Sequence, residues 1–231
     1  MSDSVTDSLQ SRHVSQPPRS RLSALVVAAL IAVLGGAAGP AKAWYSTDMT
    51  GALPPLDCTM TRATDGRTVT AADFRDKIVL LYFGYTFCPD VCPATLMNIT
   101  DMLKSLGKDA DEVRVLFVTV DPNRDTLQAL KDFTGAFAPQ IVGLRGSANQ
   151  LAALAKRYRV AYSVTAGGNG KPYEVTHGSA VYAFNRAGDI KLLFTGLTTP
   201  DGKLDGVTAD LRALVAGAGS DSWWRRMLSW F

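Results

Sequence analysis

The sequence predicts an α/β sandwich in which a mixed central sheet is flanked by helices, and three observations support this. Continuous apolar runs at residues 78–83 and 113–120 read as strands covered on both faces. Between and beyond them lie segments whose apolar residues recur at the helical spacing. The pattern closes with two short strands around Arg186-Ala187-Gly188, a hairpin that makes the sheet mixed.

Taken in order, residues 56–60 alternate in polarity and form an early strand, in which Cys58 is expected to be a small apolar filler. Residues 78–83 form the first central strand. Residues 94–106 place Leu96, Ile99, Leu103 and Leu106 on one helical face, and Gly107 stops that helix. The second central strand covers 113–120. Asp125 is expected to cap a helix from Thr126 to about Phe133. Residues 141–144 form a short strand, and a helix over 149–158 is capped by Ser147 or Asn149. The hairpin strands cover 179–185 and 189–194, with Gly188 supplying the positive φ of the turn. An amphipathic helix over 204–215 ends the series. This order is thioredoxin-like, and the chain has no internal repeats.

A length of 231 residues accommodates one main domain, placed at 44–216, with short appendages at 1–43 and 217–231. The net charge of +3 is too small and too scattered to indicate nucleic-acid binding. Residues 1–18 are polar and aperiodic and read as disordered. Arg19 and Arg21 then precede an apolar run over 22–38 and the small-residue ending Gly39-Pro40-Ala41-Lys42-Ala43. These are the parts of a secretory signal cleaved after Ala43, or of a retained membrane anchor. Either places the following domain outside the cytoplasm, facing the periplasm from the inner membrane. Cleavage leaves 20 basic and 19 acidic residues and removes His13, so that His177 is the sole imidazole of the exported chain. In the tail, Trp224, Met227, Leu228 and Phe231 share a helical face beside Arg225 and Arg226, which suits a membrane interface or docking on the domain's own surface.

The chemistry concentrates in Cys88-Pro89-Asp90-Val91-Cys92. Residues four apart on a helix share a face with Cα atoms roughly 6 Å apart, so the two sulfurs can close a disulfide or converge on one ion. Three cysteines allow at most one intramolecular disulfide. A helix N-terminus stabilises a thiolate, while Asp90 opposes it locally. Pro93 is compatible with a tight loop over 88–92 that leads into the helix. Structural zinc needs four ligands, whereas two thiolates and one imidazole make a three-coordinate site that copper(I) accepts. His177, preceded by the glycine-rich segment 166–172, is expected to be that imidazole. Asp121, at the same end of the sheet in Val120-Asp121-Pro122-Asn123-Arg124-Asp125, is expected to orient a ligand or contact a partner. Arg124 and Asp125 are assigned to the turn and helix cap.

Tyr82-Phe83-Gly84-Tyr85-Thr86-Phe87-Cys88-Pro89-Asp90-Val91-Cys92-Pro93, followed by Val120-Asp121-Pro122-Asn123-Arg124-Asp125-Thr126 and the lone His177, resembles the Sco/SenC family of copper proteins. The resemblance runs roughly from Leu53 to Val215. It implies a thioredoxin-like domain tethered at, or released from, a membrane, with copper held by Cys88, Cys92 and His177. It also implies delivery of copper, or of reducing equivalents, to the copper-bearing subunit of cytochrome c oxidase. Two departures stand out: Thr176 where the family often has aspartate before its histidine, and Leu127 where many members have proline. A thiol–disulfide oxidoreductase using Cys88 and Cys92, resupplied by a periplasmic thiol reductant, is the alternative. Against it, no proline immediately precedes the strand at Ser179. A peroxidase lacks its usual threonine, since Tyr85 stands three residues before Cys88.

Overall fold

The computed structural model describes residues 44–166, 173–199 and 204–217, all within one compact unit, Trp44–Phe231. The expected signal or anchor, residues 167–172 of the glycine-rich segment, and the aromatic tail lie outside the described residues. Among the described residues no helix is long and apolar enough to cross a membrane.

The strands are β1 (Thr47–Asp48), β2 (Thr59–Arg62), β3 (Thr68–Thr70), β4 (Ile78–Gly84), β5 (Val113–Thr119), β6 (Ile141–Arg145), β7 (Tyr162–Thr165), β8 (Glu174–His177), β9 (Val181–Phe184) and β10 (Ile190–Phe194). The helices are α1 (Val91–Leu106), α2 (Leu127–Gly135), α3 (Ala148–Arg157) and α4 (Leu204–Val215). Eight strands form one sheet in the order β1-β10-β9-β4-β5-β6-β2-β3. The central trio β4, β5 and β6 is parallel, and the remaining pairings are antiparallel. The mixed sheet is the one expected.

β4 is buried at every position because both its faces are covered. Ile78, Leu80 and Tyr82 join a core with Leu96, Ile99 and Leu103 of α1, Leu130 of α2 and Leu211 of α4. Val79, Leu81 and Phe83 point the other way, into a core with Leu151 and Leu154 of α3 and Val175 of β8. The period of two along the strand divides these residues between the layers. Cys88 packs against both cores, at the end of the sheet where they meet.

Several local details differ from expectation. α1 begins at Val91, three residues before the expected start. Pro93 falls in the first turn, where a missing N–H costs no helical bond. The cap of α2 is Thr126, whose side chain accepts from Ala129 N at 3.1 Å, and not Asp125. Leu127 is simply the first residue of that helix. α3 carries a capping box built by Ser147 and Gln150. β7 and β8 were not anticipated; they form a two-stranded ribbon of their own, with Tyr162 opposite His177. Cys58 is 5 % exposed within the second core, as a filler should be.

Candidate metal centre

β4 ends at Gly84, and the chain turns through residues 85–90 before α1 begins. The turn is closed by Cys88 N–H donating to Tyr85 O at 3.3 Å. Asp90 occupies the N-cap position of α1, but its side chain caps nothing and is exposed. The Cys92 N–H, otherwise an orphan of the first turn, donates to Cys88 Sγ at 3.4 Å. A sulfur thus takes the part that a serine or aspartate oxygen usually plays at a helix start.

Cys92 points inward from that turn and is buried, whereas Cys88 is half-buried. The close seat of Cys92 depends on Gly84. A Cβ there would lie 2.9 Å from Cys92 Sγ and 2.5 Å from Phe117 Cε2. A glycine breaking an otherwise bulky strand just before a cysteine signals such an approach.

His177 closes the group from the ribbon. Its Nε2 lies 3.2 Å from Cys92 Sγ, and its Nδ1 lies 2.9 Å from Gly178 O. A proton on Nδ1 satisfies that carbonyl and leaves the Nε2 lone pair directed at the sulfur, the arrangement a metal-binding imidazole needs. The ring stands edge-on to Tyr85 at 5.7 Å and 90°, and to Tyr82 at 6.1 Å and 67°. The ligand atoms of Cys88, Cys92 and His177 all lie within 4.8 Å of one another.

The two thiols are electrostatically unequal. The Cys88 thiol is held down to about 3, first by the hydrogen bond from the Cys92 side chain and then by His177 and by the Cys92 and Asp90 backbone, against the opposing effect of burial. Cys92 is pushed strongly upward by the neighbouring Cys88 sulfur and by burial. Cys88 is therefore the thiolate of the pair and Cys92 the thiol, and His177 Nε2 lies 3.2 Å from the Cys92 sulfur. Cys58 is pushed up to about 12 by burial, with Asp57 and Asp73 adding to it, which makes it inert.

The segment after β5 supports both sides of the cluster. Asp125, fully buried, accepts from Thr86 N at 3.0 Å, Thr86 Oγ1 at 2.6 Å and Thr119 Oγ1 at 2.6 Å. This moors the cysteine turn to β5, a role its reading as a helix cap missed. Asp121, 2 % exposed, lies outside the ligand cluster. It accepts from Tyr173 Oη at 2.6 Å and pairs with Arg124. Thr176, which precedes the histidine, bonds Ser163 across the ribbon at 2.7 Å and is exposed. Tyr82 is wholly buried, and its hydroxyl has no partner in hydrogen-bonding geometry.

Comparison with known proteins gives a consistent result. The SCO1/SenC family model matches residues 60–214. The chain is 37 % identical over 153 residues to the mitochondrial SCO2 homologue of Bos taurus, covering 65 % of this chain and 56 % of that protein. It is 31 % identical over 125 residues to a SCO2-like protein of Rickettsia felis, covering 54 % and 61 %. The chain thus spans little more than half the length of these relatives. Among solved structures, Bradyrhizobium japonicum ScoI with copper bound is 33 % identical with a TM-score of 0.61, over 69 % of this chain and 98 % of that one. Apo Sco1 from Thermus thermophilus is 34 % identical with a TM-score of 0.64, over 76 % and 99 %. The sandwich described above is therefore the thioredoxin-like fold of these proteins. Because the family match takes in the cysteine turn, the segment after β5 and the ribbon histidine together, the chain belongs to the SCO1/SenC family.

Proposed function

We propose that this chain binds copper through Cys88 Sγ, Cys92 Sγ and His177 Nε2 and passes it to the copper-bearing subunit of cytochrome c oxidase. The observation that carries the reading is the convergence of those three ligand atoms within 4.8 Å. The donor set fits the ion, since two soft sulfurs and one imidazole favour copper(I) over harder cations. Loading needs little rearrangement of charge: the proton on Cys92 leaves and a monovalent cation takes its place. Asp90, exposed at the rim, is suited to contact a partner. The sequence pattern of residues 19–43 supports work on the periplasmic side of the inner membrane, with an N-terminal anchor or the C-terminal tail at the membrane surface. The test is a copper(I) competition titration of the reduced protein. One ion per chain is expected, with affinity at least tenfold lower in His177→Ala; unchanged affinity in that variant would remove histidine from the site.

The inequality of the two thiols favours a second reading, reduction of the recipient's disulfide. Cys88 thiolate attacks one sulfur of that disulfide, forming a mixed disulfide and releasing the other sulfur as a thiolate. Cys92 then gives up its proton and attacks Cys88, which frees the recipient's second thiolate. The recipient gains two electrons, the pair ends as a disulfide, and a periplasmic dithiol must reduce it again. An oxidised pair cannot hold copper and a reduced one can, so the two roles can coexist in one chain. Reduction of an oxidised copper-site peptide at the same rate by Cys92→Ser would eliminate this second role.

A further inference from the structure

We propose that Arg124 is a positioning residue that latches the histidine-bearing ribbon onto the cysteine turn. The inference rests on the copper-binding reading above and assigns a role that the ligand triad does not contain.

Among the described residues β7 and β8 pair only with each other, so beyond the core packing of Val175 the ribbon is held by side-chain contacts, those of Arg124 among them. Arg124 meets both halves of the site. Its guanidinium carbon lies 4.0 Å from the centroid of the Tyr173 ring, and Nη1 donates to Tyr173 O at 3.3 Å. Tyr173 immediately precedes β8, the strand that ends in His177. The same guanidinium lies 5.2 Å from the Phe87 ring and 5.9 Å from the Tyr85 ring, both in the cysteine turn. Phe87 adjoins Cys88, and the Tyr85 ring stands edge-on to His177. One cation therefore touches three aromatic rings, two from the turn and one from the ribbon.

The cation is held in place from beneath. Buried Asp121 pairs with Arg124 Nε and accepts the Tyr173 hydroxyl at 2.6 Å, so the anchor binds both the latch and its target. The arrangement needs arginine, because a planar guanidinium stacks on a ring while its fork donates in the same plane; an ammonium does one or the other. Without the latch the two sulfurs keep their places through Asp125 and Cys92 N–H, but His177 loses its fixed approach.

The experiment is copper(I) competition on the full chain for wild type, Arg124→Ala, Arg124→Lys, Tyr173→Phe, His177→Ala and the Arg124→Ala/His177→Ala pair. Arg124→Ala is expected to weaken binding about tenfold, with Arg124→Lys and Tyr173→Phe intermediate. In the His177→Ala background Arg124→Ala should add nothing, because the latch acts only through that ligand. Unchanged affinity in Arg124→Ala, or a full further loss in the double variant, would overturn the proposal. Hydrogen exchange of the metal-free protein reads the latch separately: amides of β7 and β8 should exchange faster in Arg124→Ala while those of β4 and β5 do not. Equal ribbon exchange overturns the latch. A wild-type protein that binds no copper overturns the copper reading alone, and the exchange result still decides the latch.

Discussion

Replacing Asp125 with alanine removes the only acceptor of three hydrogen bonds that moor the cysteine turn, and its cost can be worked from the structure. The carboxylate is fully buried and takes Thr86 N–H, Thr86 O–H and Thr119 O–H. A hydrogen bond to a charged group contributes about 1.5–3 kcal/mol, and each donor stranded without water costs about 1–3 kcal/mol. The three bonds share one group and do not add, and alanine also relieves the desolvation of the buried charge. Both hydroxyls can rotate to other acceptors, leaving the Thr86 amide as the chief orphan. The net loss is about 3 kcal/mol, a large share of a typical domain stability of about 5–15 kcal/mol. For a domain of this size it lowers Tm by about 6–12 °C. Asp125→Asn keeps one acceptor oxygen and should lose about half as much. The assay is urea unfolding of the reduced, metal-free protein. A loss below about 1 kcal/mol in Asp125→Ala would refute the mooring role, and Asp125 would be no more than a residue near a helix start.

Two further outcomes are expected. In the native protein, iodoacetamide should modify Cys88 first, at a rate nearly flat from neutral pH down to about 4 and fading as the pH falls through about 3; Cys92 and Cys58 should resist until the chain unfolds. The depressed Cys88 thiol contributes stability fully above the ordinary thiol pKa, and that contribution is lost as pH falls through the folded value. Mass mapping that finds Cys92 modified before Cys88 would reverse this assignment. Gly84→Ala should destabilise the domain by about 1–3 kcal/mol, through overpacking against Phe117 and Cys92 Sγ. It should also weaken copper binding by displacing that sulfur, and a variant with wild-type stability and affinity would show the seat to be loose.

Much of this fold is legible in the sequence. β4 and β5 announce themselves because burial on both faces demands unbroken apolar runs, and α3 because a run of helix formers follows Ser147, although the box that Gln150 completes with that serine shows only in the structure. The two cysteines follow from spacing, and the histidine from the expectation that export would leave a single imidazole. Other features were hidden for physical reasons. The ribbon was missed because Tyr-Ser-Val-Thr and Glu-Val-Thr-His are each only four residues long and are split by a glycine-rich segment, although both alternate and are rich in β-formers. Asp125 was misread because aspartate and threonine both cap helices, and only a partner 39 residues away, Thr86, decides between them. The early start of α1 was obscured by Pro93, a residue that excludes helix interiors but suits first turns. Arg124 and Tyr173 carry no local signature, since their significance lies in a contact across 49 residues.

The separate ribbon has a consequence for how quickly a bound ion can change hands. Two of the candidate donors sit where β4 passes into α1, and the third on a ribbon that pairs with neither β4 nor β5. A soft ion held by all three therefore need not dissociate in a single step. On the proposed reading, His177 would be the donor placed to yield first to an incoming ligand, with the two cysteines still holding the ion. Equilibrium affinity reflects all three donors, whereas the barrier to handover reflects the weakest of them. A site of this form can hold its cargo tightly against free solution and still release it promptly to a partner that brings ligands of its own.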